Sequence, residues 1–404
     1  MARIKIAYNK HATNYDEQIR LLRGRGLVIT DENKARECLS DIGYYRLGFY
    51  IFPFEVTYPA LDNRRRHTIQ QGTTMENVVS LYYYDLDLRN ILNRYLSRIE
   101  VALRTTFVYE LSNKYVADPY WFVNPAVVSA QFIADFPGAA YCSIKKKPTI
   151  KRHHLKYLGQ YAPAWKTMEY MTLGNLEVLY DSLLLDVDKR IISTHFGEPA
   201  IATFKSYMTT IREVRNACAH GNVTFGMTLT SGIRVGVACP SFPAHTQQTF
   251  HGALRVIDYM LRQVSVNRAN DMWDEIYKAT AMLYMKSPGL QTLIETQTGI
   301  VLPQNMVKKP SLLQKILNRT VKKSGCKLAC FENYSYLCIA KVYLGSPVAP
   351  ICTIKKIKSS PICLQLGLVF FQPRPDSGWQ PARRQRSQRQ FRRPYLGSRR
   401  PGRR

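Results

Sequence analysis

The chain has 404 residues, with 57 Lys and Arg against 29 Asp and Glu, giving a formal charge of +28. At 46% apolar residues it is globular in composition and long enough for two domains or one large one. Such an excess of positive charge points first to acidic partners, nucleic acid or an anionic membrane face.

The excess is uneven. Residues 305–404 carry 22 Lys and Arg and 2 acids, so they hold +20, while residues 1–304 hold only +8. No apolar run reaches the roughly 18 residues that a spanning helix needs, so no membrane partner is expected. Met1-Ala2-Arg3-Ile4-Lys5 is followed by no apolar stretch of signal-peptide type. A cytoplasmic protein with reduced thiols is therefore expected from the nine cysteines.

Residues 15–60 read as a compact N-terminal element. Asp31 is placed to cap a helix over 32–40, with Ala35, Cys38 and Leu39 on one face. Ile42 to Phe54 follows, a dense aromatic run punctuated by Gly43, Gly48 and Pro53, which argues against one uninterrupted helix. It reads first as core packing and second as a base-stacking surface. Asp62 to His67 is a polar loop.

Thr73 and Glu76 have capping-box spacing and open the clearest helix, expected over 75–114. Leu88, Leu92, Leu96, Ile99, Leu103, Phe107 and Leu111 recur at steps of three and four and share one face. Asp85/Arg89 and Glu100/Arg104 are i,i+4 pairs expected on the rest of its surface. A helix near ~60 Å long is expected to break or bend.

Residues 137–163, with Lys145-Lys146-Lys147-Pro148 and Lys151-Arg152-His153-His154, read as a basic loop, solvated or phosphate-contacting. Helical patterns return at 174–195 and 200–220, the second with Phe204, Tyr207, Met208, Ile211, Val214 and Cys218 as its apolar stripe. Segment 221–250 is rich in Gly, Thr and Pro and reads as an extended loop or short hairpin. A final helix fits 251–285. After Pro288 the pattern changes, and residues 374–404, made of Arg, Pro, Gln, Ser and Gly, read as disordered.

The stretch with most chemical content is Arg212-Glu213-Val214-Arg215-Asn216-Ala217-Cys218-Ala219-His220-Gly221. It contains Arg-Asn-x-x-x-His. A second R-x4-H match, Arg190 to His195, has Ile191 in place of the polar residue. In the first match Arg212, Asn216 and His220 fall at i, i+4 and i+8, on a polar face flanked by Arg215. Asn216 can reach His220 across one turn, and Gly221 stands where a helix C′ glycine belongs. Histidine is the side chain suited to proton transfer near neutral pH, and arginine grips a phosphate bidentately. Together they fit metal-free RNA cleavage, in which the ribose 2′-OH attacks the adjacent phosphorus. The same residues also fit plain capping of a helix end.

Three blocks resemble the Abi (abortive infection) family of bacterial proteins, of the AbiD/AbiF type, within the HEPN superfamily. The first runs from Arg25-Gly26-Leu27-Val28-Ile29 into Ile42-Gly43-Tyr44-Tyr45-Arg46-Leu47 and Pro53-Phe54. The second runs from Leu81-Tyr82-Tyr83-Tyr84-Asp85 to Arg98-Ile99-Glu100-Val101-Ala102-Leu103-Arg104. The third is Arg212 to His220. After His220 this chain departs from the family, having Gly221-Asn222-Val223-Thr224-Phe225 where relatives continue with a second His and an Arg-Leu-Trp-like run.

The resemblance implies an all-α HEPN-like helical bundle with an N-terminal helical and aromatic extension and a basic tail. The corresponding division is 1–72, 73–287 and 288–404. It implies an endoribonuclease toxin of phage defence in which Arg215 and His220 form the catalytic pair with Asn216 as the polar residue after the Arg; on the polar face read above, Asn216 is expected to orient His220 and Arg212 to help bind substrate. It further implies an RNA substrate, a homodimer that completes the site, no metal and no cofactor, and it leaves room for an RNA or protein antitoxin. The alternative is a non-catalytic RNA-binding or scaffold protein of a defence system. Cys326, Cys330 and Cys338 are too irregularly spaced, with no nearby His, for a zinc module.

Overall fold

A computed structural model describes residues 10–61, 64–242 and 246–304. The cysteine spacing at 326–338 and the terminal arginines lie outside the described residues. Among the described residues the protein is all-α, with four isolated β-bridges and no strand.

Three short helices come first, α1 (Tyr15–Gly24), α2 (Glu32–Ile42) and α3 (Tyr44–Ile51). Asp31 caps α2 as its sequence suggests, its side chain accepting from Lys34 N at 3.0 Å. Gly43, at φ 85, separates α2 from α3, and a 3-10 turn at Phe52–Phe54 ends the aromatic run. That run splits its roles. Leu47, Tyr50 and Ile51 are buried, whereas Tyr45 and Phe49 are exposed. Val28 joins this segment to the start of the next helix, its N donating to Thr73 O at 2.9 Å and its O accepting from Met75 N at 2.9 Å.

The central element is α4 (Met75–Lys114), which runs its full 40 residues uninterrupted, so the expected break is absent. Its cap is one residue later than the spacing suggests. Thr74 and Asn77 form the reciprocal capping box, because Asn77 can bond back to Thr74 N as a glutamate would. The stripe from Leu88 to Leu111 is fully buried. Other helices close around it, so burial of this single stripe supplies much of the drive to fold.

Residues 130–170 form a short-helix region, with α5 (Ala130–Phe136), α6 (Cys142–Ile144), α7 (Pro148–Lys156) and α8 (Ala164–Thr167). The basic stretch read as a loop is therefore largely helical. Pro148 opens α7 at a position where its missing N–H costs nothing. Next come α9 (Leu173–Ser182), α10 (Asp186–His195) and α11 (Ile201–Ala219).

Residues 221–242 are mostly irregular and, with 246–249, are pinned by bonds such as Leu229 N to Gln248 O at 2.7 Å. The helix expected over 251–285 is two helices, α12 (Phe250–Val264) and α13 (Val266–Lys286). Ser265 is extended between them and its side chain caps α13. A last helix, α14 (Gln291–Thr298), ends at Gly299 in the left-handed conformation.

Packing places α13, α11, α12, α3 and α10 against α4. One apolar core runs from Ile19 to Ile300. Polar bonds fix the register of α13 on α4, among them Tyr84 OH with Thr280 Oγ1 at 3.0 Å and Tyr95 OH to Glu275 at 2.8 Å. No helix among the described residues is long and apolar enough to cross a membrane.

Candidate active site at the end of helix α11

Helix α11 buries Phe204, Tyr207, Met208, Ile211 and Val214 completely, which turns its other side outward. It ends in a full Schellman motif. Gly221 N bonds Cys218 O at 3.4 Å, and Asn222 N bonds Ala217 O at 2.9 Å. Gly221 takes φ 71, where only glycine sits without strain, so His220 is the last residue before the turn, and it is exposed. Arg46, from α3, donates to Gly221 O at 2.7 Å and so caps the helix end from a distant part of the chain.

One turn earlier, Arg215 meets a buried carboxylate. Its Nε lies 3.3 Å from Glu100 Oε2, with Arg215 about a third exposed (36%) and Glu100 buried (8%). The other Glu100 oxygen accepts from Arg104 Nη2 at 2.5 Å, and Arg104 Nε donates to Met171 O at 2.9 Å. A single carboxylate thus holds two guanidinium groups, leaving a net positive charge at the surface. Asn216 Oδ1 accepts from Arg215 Nη1 at 3.3 Å. The bond between residues 216 and 220 is the backbone one, His220 N to Asn216 O at 2.9 Å. Asn216 therefore orients Arg215 rather than the His220 ring.

Arg212 points elsewhere. Its Nε lies 2.5 Å from Glu177 Oε2 on α9, and Thr209 Oγ1 holds the other oxygen of that carboxylate. The structure brings Arg215 and Asn216 together with Glu100, seats His220 at the adjacent helix end, and sets Arg212 apart against α9.

Beneath the turn lies a buried network that the sequence reading placed on the surface. Asp85 and Arg89 are almost wholly buried. Asp85 Oδ2 accepts from Tyr50 OH at 2.8 Å and Arg89 Nη1 at 2.7 Å, and Oδ1 accepts from Thr224 N and Phe225 N, each at 3.1 Å. Arg89 Nη1 also donates to Asn222 O at 3.0 Å. Burial and the neighbouring Asp85 push the Tyr50 phenol upward. Burial works against the Arg89 charge, but Asp85 and Tyr50 together more than offset it, so its pKa is raised. Burial also pushes the Cys218 thiol up to about 12, so it stays a protonated core residue. The i,i+4 spacing was read correctly and the facing was not, because residues 222–225 fold back over α4 and cover the pair.

Arg46, Glu100 and Arg104 were not singled out as site residues, although all three lie within the blocks that carry the family resemblance. The discounted match at Arg190 and His195 is a separate surface feature. His195 Nδ1 lies 3.1 Å from Glu110 Oε1, while Arg190 Nη1 reaches Pro199 O at 3.4 Å. Among the described residues no group of three or more His, Cys, Asp or Glu is arranged to hold a metal ion.

Every residue of this arrangement, from Arg46 to Phe225, falls in one stretch of the sequence. Residues 37–225 match the family model of Abi-like proteins. The Abi-like segment takes in α3, α4 and α11, and with them both the Glu100–Arg215 contact and the Asp85 network. No curated protein and no solved structure matches the chain.

Proposed function

We propose that this protein is a HEPN-type endoribonuclease toxin of the AbiD/AbiF kind, acting in the cytoplasm in phage abortive infection. The observation that carries the reading is Arg215, held by a buried Glu100, one turn from an exposed His220 at a capped helix end. The match to Abi-like proteins over the same residues supports it.

Arg215 binds the scissile phosphate and stabilises charge on the phosphorane. Arg104 adds positive charge beside it, and Glu100 and Asn216 position the Arg215 guanidinium. His220 moves protons. The 2′-oxygen forms a bond to phosphorus as its proton leaves, and the bond to the 5′-oxygen breaks as that oxygen gains one. The products are a 2′,3′-cyclic phosphate and a 5′-hydroxyl, with no metal or cofactor called for. Both Glu100 oxygens face guanidinium groups, which suits a positioning role rather than cation binding. Arg212 serves substrate binding once it leaves Glu177. A second protomer presenting its own Arg215 and His220 completes the site, and an RNA or protein antitoxin would act by covering it.

A second reading, a non-catalytic RNA-binding or scaffold protein of a defence system, is favoured by one observation. Both Arg212 and Arg215 already face carboxylates. Product chemistry separates the two. RNA ends bearing 2′,3′-cyclic phosphate, formed in excess EDTA, support the nuclease; binding without new ends supports the scaffold.

A further inference from the structure

Between Asp135 and Glu169 the sequence holds no carboxylate. The stretch instead carries Lys145, Lys146 and Lys147 ahead of α7, and Lys151, Arg152 and Lys156 on it. All six are exposed, and the lysine ion pairs among the described residues are those of Lys114 and Lys205, elsewhere in the fold. Lys147/Lys151 and Arg152/Lys156 are like-charged i,i+4 neighbours, which repel one another unless an anion lies across them.

Aromatic rings are interleaved with these charges. Lys147 Nζ lies 5.7 Å from the Tyr170 ring centre, and Lys156 and Lys166 lie 5.2 and 5.9 Å from that of Tyr157. Trp165 is half exposed (52%) and has no ring partner among the described residues. Helix α7 turns Ile150 and His153 inward and its cations outward, with Leu155 exposed among them. The ridge also adjoins the candidate active site. Tyr170, under Lys147, precedes Met171, whose carbonyl accepts from Arg104 Nε at 2.9 Å.

We infer that this ridge binds the backbone of single-stranded RNA, with Trp165 as a stacking face for a base, and leads the strand toward Arg104 and Arg215. Alternating cations and aromatic faces are what sequence-tolerant single-strand binding requires. Leu155 on α7 and Leu158 just beyond it are exposed, but two aliphatic side chains are a narrow apolar face for docking on an anionic membrane, whereas aromatic rings set among the cations suit unpaired bases. The identity of the ligand rests on the ribonuclease reading, and the test keeps the two apart.

The full-length protein is irradiated with an oligouridine carrying 4-thiouridine, and the adducts are mapped by peptide mass spectrometry. Adducts are expected on the peptide that holds Tyr157 and Trp165. The triple variant K151Q/R152Q/K156Q, whose positions are exposed, should lose them at least tenfold with an unchanged melting temperature. The log–log salt dependence of RNA affinity should fall by about 2, for three lost single-strand phosphate contacts. Trp165→Ala should lower the adduct yield with the salt slope kept. His220→Ala should cross-link as the parent does. Adducts confined to other peptides, or undiminished in the triple variant, would overturn the inference. So would ridge-dependent binding of phosphatidylserine vesicles in place of RNA. Ridge adducts without RNA cleavage would leave the ridge standing and remove the nuclease reading, and cleavage without ridge adducts would do the reverse.

Discussion

Glu100 accepts from Arg215 Nε at 3.3 Å across the face between α4 and α11, and its second oxygen is held by Arg104. The contact spans |i−j| = 115 residues and lies wholly within the segment that matches Abi-like proteins. It fixes the direction of the partly exposed Arg215 guanidinium, one turn from His220. Glu100→Gln keeps the shape and removes the charge. A hydrogen bond to a charged group contributes about 1.5–3 kcal/mol, so RNA cleavage should slow roughly ten- to a hundredfold. The loss should fall on kcat more than on KM, measured by single-turnover cleavage. An unchanged rate would show that Arg215 needs no help from Glu100.

Asp85 organises the turn from below. It satisfies Tyr50, Arg89 and the backbone of Thr224 and Phe225 at once. Removing one partner of a buried ion pair costs roughly 3–5 kcal/mol. Asp85→Ala should therefore lower the urea midpoint strongly, and the double variant Asp85→Ala/Arg89→Met should recover part of the loss, since no unpaired charge remains buried. Equal stability of the single and double variants would contradict the pairing.

Arg46 and Gly221 test the helix cap separately from the chemistry. Arg46→Met keeps the apolar stem and removes a charged donor from Gly221 O, a loss of about 1.5 kcal/mol. Gly221→Ala forces a Cβ into a positive-φ position and to 3.4 Å from Arg46 Nη2, at a cost of about 1 kcal/mol. Chemical denaturation of both variants checks these figures, and cleavage should fall in each in parallel with disorder of the His220 turn.

Acid sensitivity should come in part from two histidines. Burial lowers the pKa of His153, with Lys166 and His154 adding to it, and burial with Arg255 lowers that of His251. The unfolded chain therefore binds protons at these sites before the folded one does. Stability should be full above the ordinary histidine value of about 6.5 and should decline as pH falls from there to the lowered folded values. Urea midpoints measured through this range should show the decline, and His153→Gln should flatten it. A midpoint that rises on mild acidification would contradict the assignment.

Much of the fold was legible where periodicity and caps agree. The Leu88–Leu111 stripe and the Asp31 cap are local signals, and both stand in the structure. The helix over 148–156 was missed because its charges read as a loop, although Pro148 marked its first turn. The division at Ser265 was missed because apolar spacing continues from Leu261 through Met272 and Ile276, and only the capping serine signals the break. In the candidate site, Arg215, Asn216, His220 and Gly221 form a contiguous motif and could be read directly. Their partners could not. Arg46 reaches Gly221 over |i−j| = 175, and i,i+4 spacing on α4 says nothing about which side faces α11. Asn216 was assigned to His220 because they are one turn apart, yet its neighbour Arg215 takes its side chain.

The central claim is that His220, beside Arg215, does proton-transfer chemistry on RNA. It is tested most directly by incubating the purified protein and its His220→Ala variant with single-stranded RNA in excess EDTA and analysing the new ends. The account predicts 2′,3′-cyclic phosphate ends from the parent protein and a rate at least a hundredfold lower from the variant, with RNA affinity retained. Equal cleavage by both proteins, or none by the parent, would contradict it.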